Sequence, residues 1–489
     1  MKHLGAGPGR LLSIPRIAAL LVVYTTFIYF MLTSVTETTH QTITPAHKRA
    51  LDLLASDQGQ YIIDNLHKIS EKIAEQEISS EAAPQSPTQS PSSTEGQCNY
   101  EKIIRNTDPN HTRAHLQFWQ NLAPSAIQTY QNDWQNFVAE LPPYSNYSQQ
   151  FVDTGIVFTA GNKDTLNRTV TVIKLLRQYG CNLPVEVWHL DDEKPSETEN
   201  EELLSLNAAS KDLSDSKLVR PIQKKRDAEK QFQIKAAAIL NSKFKQVLYL
   251  DSDNIPTRNP EYLFNSKEYL ETGALFWPDF WKTHPENRIY DILNIQCKDT
   301  WEQESGQIFV DKQRNWVPLQ LAWFLQMHHE LYFQLLNGDK DTFKFAWEAL
   351  DAPYHMAETF LGMAGTMVDS RFCGHTMVQY DLYSSGYGEA SPLFVHANLL
   401  KITDKLHFEE GGKETPWGIM KRYTASRGNT WLHPEFYVAS FGRACMDFTH
   451  PDGEPEAVIE PFDDVLPGFQ QKYFELGGKG GETRGFPVF

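Results

Sequence analysis

Several things are scarce in this chain, and each shortage narrows its function. Positive charge is short: 45 Lys plus Arg stand against 62 Asp plus Glu in 489 residues, a formal net charge of -17. That balance argues against a nucleic-acid binder, which carries a basic patch or stripe. Cysteine is sparse and odd in number, at Cys98, Cys181, Cys297, Cys373 and Cys445, with no C-x-x-C spacing. A zinc site is therefore disfavoured. In an oxidising compartment one or two disulfides would leave at least one thiol over, and the pairing stays open. Neither G-x-G-x-x-G nor G-x-x-x-x-G-K-[ST] occurs, which disfavours a dinucleotide or P-loop site.

Hydrophobic residues make up 40% of the chain and aromatics 12%, enough for a sizeable core. Residues 17–33 form an uncharged, mainly apolar run, close to the roughly 20 residues that span a bilayer. Lys2, Arg10 and Arg16 precede it, and no Lys or Arg follows until Lys48. The positive-inside rule makes residues 1–16 a cytosolic tail and 17–33 an uncleaved signal anchor, with the rest across the membrane. Sequons at Asn110, Asn146 and Asn167 fit a secretory lumen. Residues 34–98 read as a stem and tether. Ile62, Leu66, Ile69 and Ile73 form a helical stripe that suits a coiled-coil stem, hence homo- or hetero-oligomerisation, and equally a single helix. The Ser/Pro-rich stretch 79–96 cannot bury a core. Residues 99–150 read as a helical neck whose Phe118, Trp119, Trp134 and Phe137 are packing residues.

From residue 151 the pattern is α/β. Gly155 to Thr159 is a strand, Thr169 to Tyr179 a helix and Val185 to Leu190 a second strand, with polar residues at each strand end. This βαβ grammar implies a mostly parallel sheet. It repeats in a helix to Asn241 and the strand Gln246 to Leu250, which ends in Asp251-Ser252-Asp253. Two carboxylates at a strand's C-terminal end face the crevice where open α/β sheets bind ligands. Hard divalent cations take such carboxylates together with substrate phosphates. A plain turn is the alternative, since Asp, Ser and Asn commonly end strands.

Other clusters accompany this one. His396, delivered by the apolar run Phe394 to Leu400, is a third candidate metal ligand, and Lys401 a contact for a diphosphate. Lys235, on the helix before the key strand, is a donor-phosphate contact or a solvated helix lysine. Trp277-Pro278-Asp279-Phe280-Trp281 and Trp301-Glu302-Gln303-Glu304 mix acids with aromatics, which suits the faces and hydroxyl rims of a sugar. Here Trp277 and Asp341 are candidate acceptor contacts, and Asp279 or Glu304 candidate catalytic carboxylates. Asp341 reads equally as a helix cap, and the tryptophans as a packed cluster.

The run from Lys235 to Phe264, the WPDFW stretch, WEQESGQIFVDK, GDKDTFKFAWE, RFCGHTMVQYD and FVHANLLK, in this order, resemble the fungal Golgi α-mannosyltransferases over about residues 151–450. The similarity is greatest to the α-1,2 branch-adding members. The resemblance implies a type II Golgi membrane enzyme with a GT-A fold over residues 151–489, and retaining transfer of mannose from GDP-mannose to an α-mannoside of a glycan. It also implies Mn²⁺ held by Asp251, Asp253 and His396. Asn259 stands where the family pattern has Asp, and Thr159 to Asn162 lacks its Gly-rich strand end, so the guanine contacts stay unassigned. Two other classes remain in view: an aspartyl-phosphate phosphatase with Asp251 as nucleophile and Asp463-Asp464 as distal ligands, and a lectin-like module using the tryptophans.

Overall fold

The computed structural model describes residues 107–222, 234–382, 390–399, 416–423, 432–440, 443–449 and 457–478. The expected anchor, stem and tether, and Lys401, lie outside them.

Two helices open the described chain. Pro109–Asn121 starts at Asp108, whose side chain accepts from the backbone N–H of Asn110 and His111. Pro at the first turn costs nothing there, because that N–H would have no helical partner. Pro124–Ala139 follows. Both are docked through tryptophan. Trp119 Nε1 donates to Gln334 O and Trp134 Nε1 to Ile292 O, each at 2.8 Å.

The docking face carries a titratable group. His111 Nε2 lies 3.4 Å from Leu335 O, and its ring is 4.5 Å from that of His115. Burial, then the neighbouring His115, pulls its pKa from 6.5 down to about 4. As pH falls from 6.5 toward 4 the unfolded chain protonates here before the folded one, so stability is lost across that window. The loss approaches about 2–3 kcal/mol. Thermal midpoints of the protein and of His111→Gln at pH 7 and 4.5 test this. The gap between them should change by several degrees, and parallel midpoints would remove His111 as the cause.

The first sheet has the strand order β3-β2-β1-β4-β7-β6-β8. Its members are β1 Val152–Thr159, β2 Val185–His189, β3 Ala208–Asp212 and β4 Phe244–Leu250, then, past a short β5 (Asn254–Pro256), β6 Ala274–Lys282, β7 Trp301–Asp311 and β8 His355–Met356. The β3-β2-β1-β4 half is parallel, as the alternating strand–helix pattern predicts. Its central residues are buried on both faces, which explains the continuous apolar runs Ile156–Phe158 and Val247–Leu250. The other half keeps one parallel pair, β6 with β8, and admits one antiparallel strand. β7 runs antiparallel to both β4 and β6, so the sheet is mixed. No long helix bridges β6 and β7, and a parallel pair would need such a crossover.

The second sheet is antiparallel. Its order is β13-β14-β10-β9-β12-β15, with β11 pairing β10 and β5 off that path. Its strands are β9 Gly362–Val368, β10 Arg371–Tyr380, β11 Pro392–His396, β12 Ile419–Tyr423, β13 His433–Ala439, β14 Arg443–Thr449 and β15 Ala457–Pro461. A Cys373–Cys445 disulfide ties β10 to β14. Cys297 is also disulfide-bonded, and Cys181 is the buried free thiol. The two sheets meet at Asp251-Ser252-Asp253. β4 ends there, and β5 immediately pairs with β11 in the register Asn254↔His396.

Candidate active site

That register is what assembles the site. Asp251 leaves the end of β4 with its N–H donating to Gly306 O at 2.9 Å, and Asp253 O accepts from Ala397 N at 3.0 Å. His396 Nε2 consequently lies 3.2 Å from Asp253 Oδ1 and 4.0 Å from Asp251 Oδ2. One donor atom from each of Asp251, Asp253 and His396 falls within 4.8 Å of the other two. Two carboxylates and an imidazole suit a divalent cation with oxygen and nitrogen preference, such as Mn²⁺.

Each member is held by buried neighbours. Asp251 Oδ2 accepts from Lys235 Nζ at 2.8 Å, and its Oδ1 from Tyr249 OH at 2.8 Å, that hydroxyl being paired also with Thr159 Oγ1. Asp253 Oδ2 faces Arg168 Nη1 at 3.4 Å. Arg168 Nε and Nη1 are buried with no hydrogen-bond partner among the described residues. His396 Nδ1 is 3.0 Å from Glu304 Oε1, an ion pair rather than an aligned hydrogen bond. Burial works against the imidazolium, but Glu304 and then Asp253 outweigh it and hold its pKa up at about 10. Burial likewise would raise the Glu304 pKa, yet His396 and Lys235 bring it below the usual carboxylate range.

A second ionic cluster adjoins the first through Asp339-Lys340-Asp341, which opens the helix Lys340–Ala349. Asp339 reaches back to Lys235 at 3.1 Å. Lys340 Nζ pairs with Asp279 at 3.1 Å, with Asp341 at 2.6 Å and with Glu302. One ammonium thus serves three buried carboxylates. Burial first, then Glu302, raises the Asp341 pKa to about 6, and burial also raises that of Asp279.

The expected residues fall into three groups. Asp251, Asp253, His396, Glu304 and Lys235 come together; Asp279 and Asp341 sit in the adjoining lysine-centred cluster. Trp277 belongs to neither, and three expectations change. Trp277 is fully buried, its Nε1 donating to Tyr380 O at 2.8 Å and its ring edge-on to Phe394. β6 is covered on both faces, so this indole has no surface to offer an acceptor. Asp341 is enclosed as well, taking Gln303 N–H at 2.8 Å besides Lys340. Lys235 Nζ is enclosed by Asp251, by Ser305 Oγ at 2.9 Å and O at 3.4 Å, and by Asp339, so its contacts in the structure are to protein groups rather than to an open phosphate site. It braces Asp251. Arg168, Tyr249, Ser305, Asp339 and Lys340 also build the site, although the sequence pattern assigns them no role. Ser305, beside Glu304, and Asp339 and Lys340, beside Asp341, carried a signal as neighbours of residues already noted.

Comparison with known proteins bears on this site. Residues 153–303 and 298–381 match the family model described as "Mannosyltransferase putative", a span that takes in Asp251 and Asp253 and stops short of His396. The chain is 28% identical over 277 residues to α-1,2-mannosyltransferase MNN2 of Candida albicans, covering 47% of this chain and 46% of that protein. It is 26% identical over 314 residues to α-1,2-mannosyltransferase MNN2 of Saccharomyces cerevisiae, covering 55% and 52%. The chain thus spans about half the length of the curated relatives it matches. Among solved structures, the mannosyltransferase Ktr4p of S. cerevisiae is 12% identical over 49% of this chain and 81% of that one, with a TM-score of 0.30, too loose a likeness to carry an argument.

Proposed function

We infer that this chain, a relative of the fungal α-1,2-mannosyltransferases that matches a mannosyltransferase family over residues 153–381, transfers mannose from GDP-mannose to an α-mannoside of a glycan. The transfer is retaining, forms an α-1,2 linkage, depends on Mn²⁺ and uses a GT-A type domain. The observation that carries this reading is the convergence of Asp251, Asp253 and His396 where two sheets meet. Mn²⁺ held there would neutralise the diphosphate as GDP departs. Asp251 and Asp253 are kept in place by Lys235, Tyr249 and Arg168, so the donor meets a pre-set charge pattern. Neither candidate nucleophile stands free: Asp279 is paired with Lys340 and Glu304 with His396. We therefore favour attack by the acceptor hydroxyl on the face that GDP vacates over a covalent intermediate. The apolar run 17–33, with Lys2, Arg10 and Arg16 before it, supports a type II anchor with the catalytic domain across the membrane, and the resemblance to Golgi mannosyltransferases supports the Golgi as its address.

The other classes fare worse. The phosphatase reading leaves His396, brought to Asp253 and Asp251 by the pairing of β5 with β11, without a role. The proposed distal pair Asp463-Asp464 lies in the short helix Phe462–Val465, after β15. A lectin surface built on Trp277 is excluded by its burial. The test is mannose transfer by the full chain in detergent, with GDP-mannose and an α-mannoside, with Mn²⁺ or EDTA, and with p-nitrophenyl phosphate as counter-substrate. Metal-dependent transfer, with NMR showing an α-1,2 product, is the expected result. Phosphate release without transfer would overturn it.

A further inference from the structure

We propose that Glu304-Ser305-Gly306 of β7 is a positioning clamp, seating His396 against Asp253 and steadying Asp251, so that one strand sets the cation affinity of the site. The proposal rests on the metal reading above and assigns these residues a role distinct from chemistry on the sugar.

Three consecutive residues reach His396, Lys235 and Asp251. Gly306 N donates to Glu304 Oε1 at 2.6 Å, fixing that oxygen against the backbone, and the same oxygen faces His396 Nδ1 at 3.0 Å. With Nδ1 engaged, Nε2 is the nitrogen turned to Asp253 and Asp251. Ser305 Oγ accepts from Lys235, which in turn donates to Asp251 Oδ2, and Ser305 donates onward to Asp339 at 3.3 Å. Gly306 O accepts from Asp251 N. Gly306 also supplies room. A Cβ there would lie 2.6 Å from His396 Cε1 and Nδ1 and 2.8 Å from Glu304 Oε1, closer than any such contact is tolerated. The ring occupies the space that only glycine leaves open. Partners of metal ligands orient them, and losing one typically lowers metal affinity about 10- to 100-fold.

The test uses the full chain, with Mn²⁺ binding followed by calorimetry and thermal midpoints followed without metal. Gly306→Ala and Glu304→Ala should each weaken Mn²⁺ binding about 10- to 100-fold, with Glu304→Gln falling between Glu304→Ala and the unaltered protein. Gly306→Ala should also lower the metal-free midpoint by a few degrees, and that drop should shrink in a His396→Ala background, where the ring it pushes is gone and only the contact with Glu304 Oε1 remains. Undiminished affinity in Glu304→Ala, or a midpoint drop that is the same with and without His396, overturns the clamp. If the midpoint coupling is present but the unaltered protein binds no Mn²⁺, the metal reading falls while the seat for His396 stands. Should Gly306→Ala fail to fold, the midpoint coupling of Glu304→Ala with His396→Ala decides in its place, and additivity there overturns the proposal.

Discussion

Replacing Lys340 by Met should leave the protein unfolded or barely folded at neutral pH and let it recover toward pH 5. The ammonium is the common partner of Asp279, Glu302 and Asp341, all nearly or fully buried. Removing one partner from a buried ionic group typically costs about 3–5 kcal/mol, because an uncompensated charge stays inside. Native domains hold only about 5–15 kcal/mol in total. The pH direction follows from the carboxylates. Burial raises the Asp279 and Asp341 pKa values in the folded protein above those of the unfolded chain, that of Asp341 to about 6. A group shifted upward costs nothing below its unfolded pKa, and its penalty grows as pH rises to the folded value. Without Lys340 those folded values rise further, so the penalty extends through neutrality. Thermal midpoints at pH 5, 6, 7 and 8 should fall more steeply for Lys340→Met than for the unaltered protein. Parallel profiles would show that this cluster is not held by its lysine.

Asp253→Ala should abolish transfer and destabilise the protein together, and the two losses can be separated. Asp253 faces the Arg168 guanidinium on one side and the His396 imidazole on the other. Deleting the carboxylate takes away the anion that the two share and leaves, among the described residues, Arg168 only Asp164, at 2.8 Å, and His396 only Glu304, a cost below the roughly 3–5 kcal/mol of a fully orphaned buried charge. If the metal contributes about 4 kcal/mol to the transition state, transfer falls about 10³-fold. Adding Arg168→Met removes the guanidinium that Asp253 faced, so Arg168→Met/Asp253→Ala should regain part of the stability and none of the transfer. Urea midpoints and the rate of mannose incorporation read the two effects. A stable Asp253→Ala protein would mean that Arg168 does not depend on this carboxylate; normal transfer would remove Asp253 from the metal site.

Much of the parallel half of the first sheet was legible in the sequence, for a local reason. A strand buried on both faces must be apolar throughout, and the helix between two such strands shows its own period, so β1, β2 and β4 stand out in the chain. Asp251 and Asp253 stood out too, as polar residues where an apolar run stops. The antiparallel insertion of β7 did not, since strand direction depends on pairings that no local period records. Trp277 shows the limit of composition. An indole among acids reads as a sugar platform until the second sheet covers it.

What the sequence determined by itself was therefore the chemistry on offer: two carboxylates at a strand end, a histidine on a distant apolar strand and a family pattern linking them. What only the tertiary structure decided was who holds whom. His396 reaches Asp253 because β5 pairs with β11 in one register, and a slip by one residue would turn the imidazole to the other face. Lys235 looks like any helix lysine until Asp251, Ser305 and Asp339 surround it. Arg168 carries no mark at all in the chain, and becomes the partner of Asp253 only through packing. The physical reason is common to these cases. A buried charge takes its state and its role from the groups within a few ångströms of it, and here those groups come from strands and helices far apart in sequence.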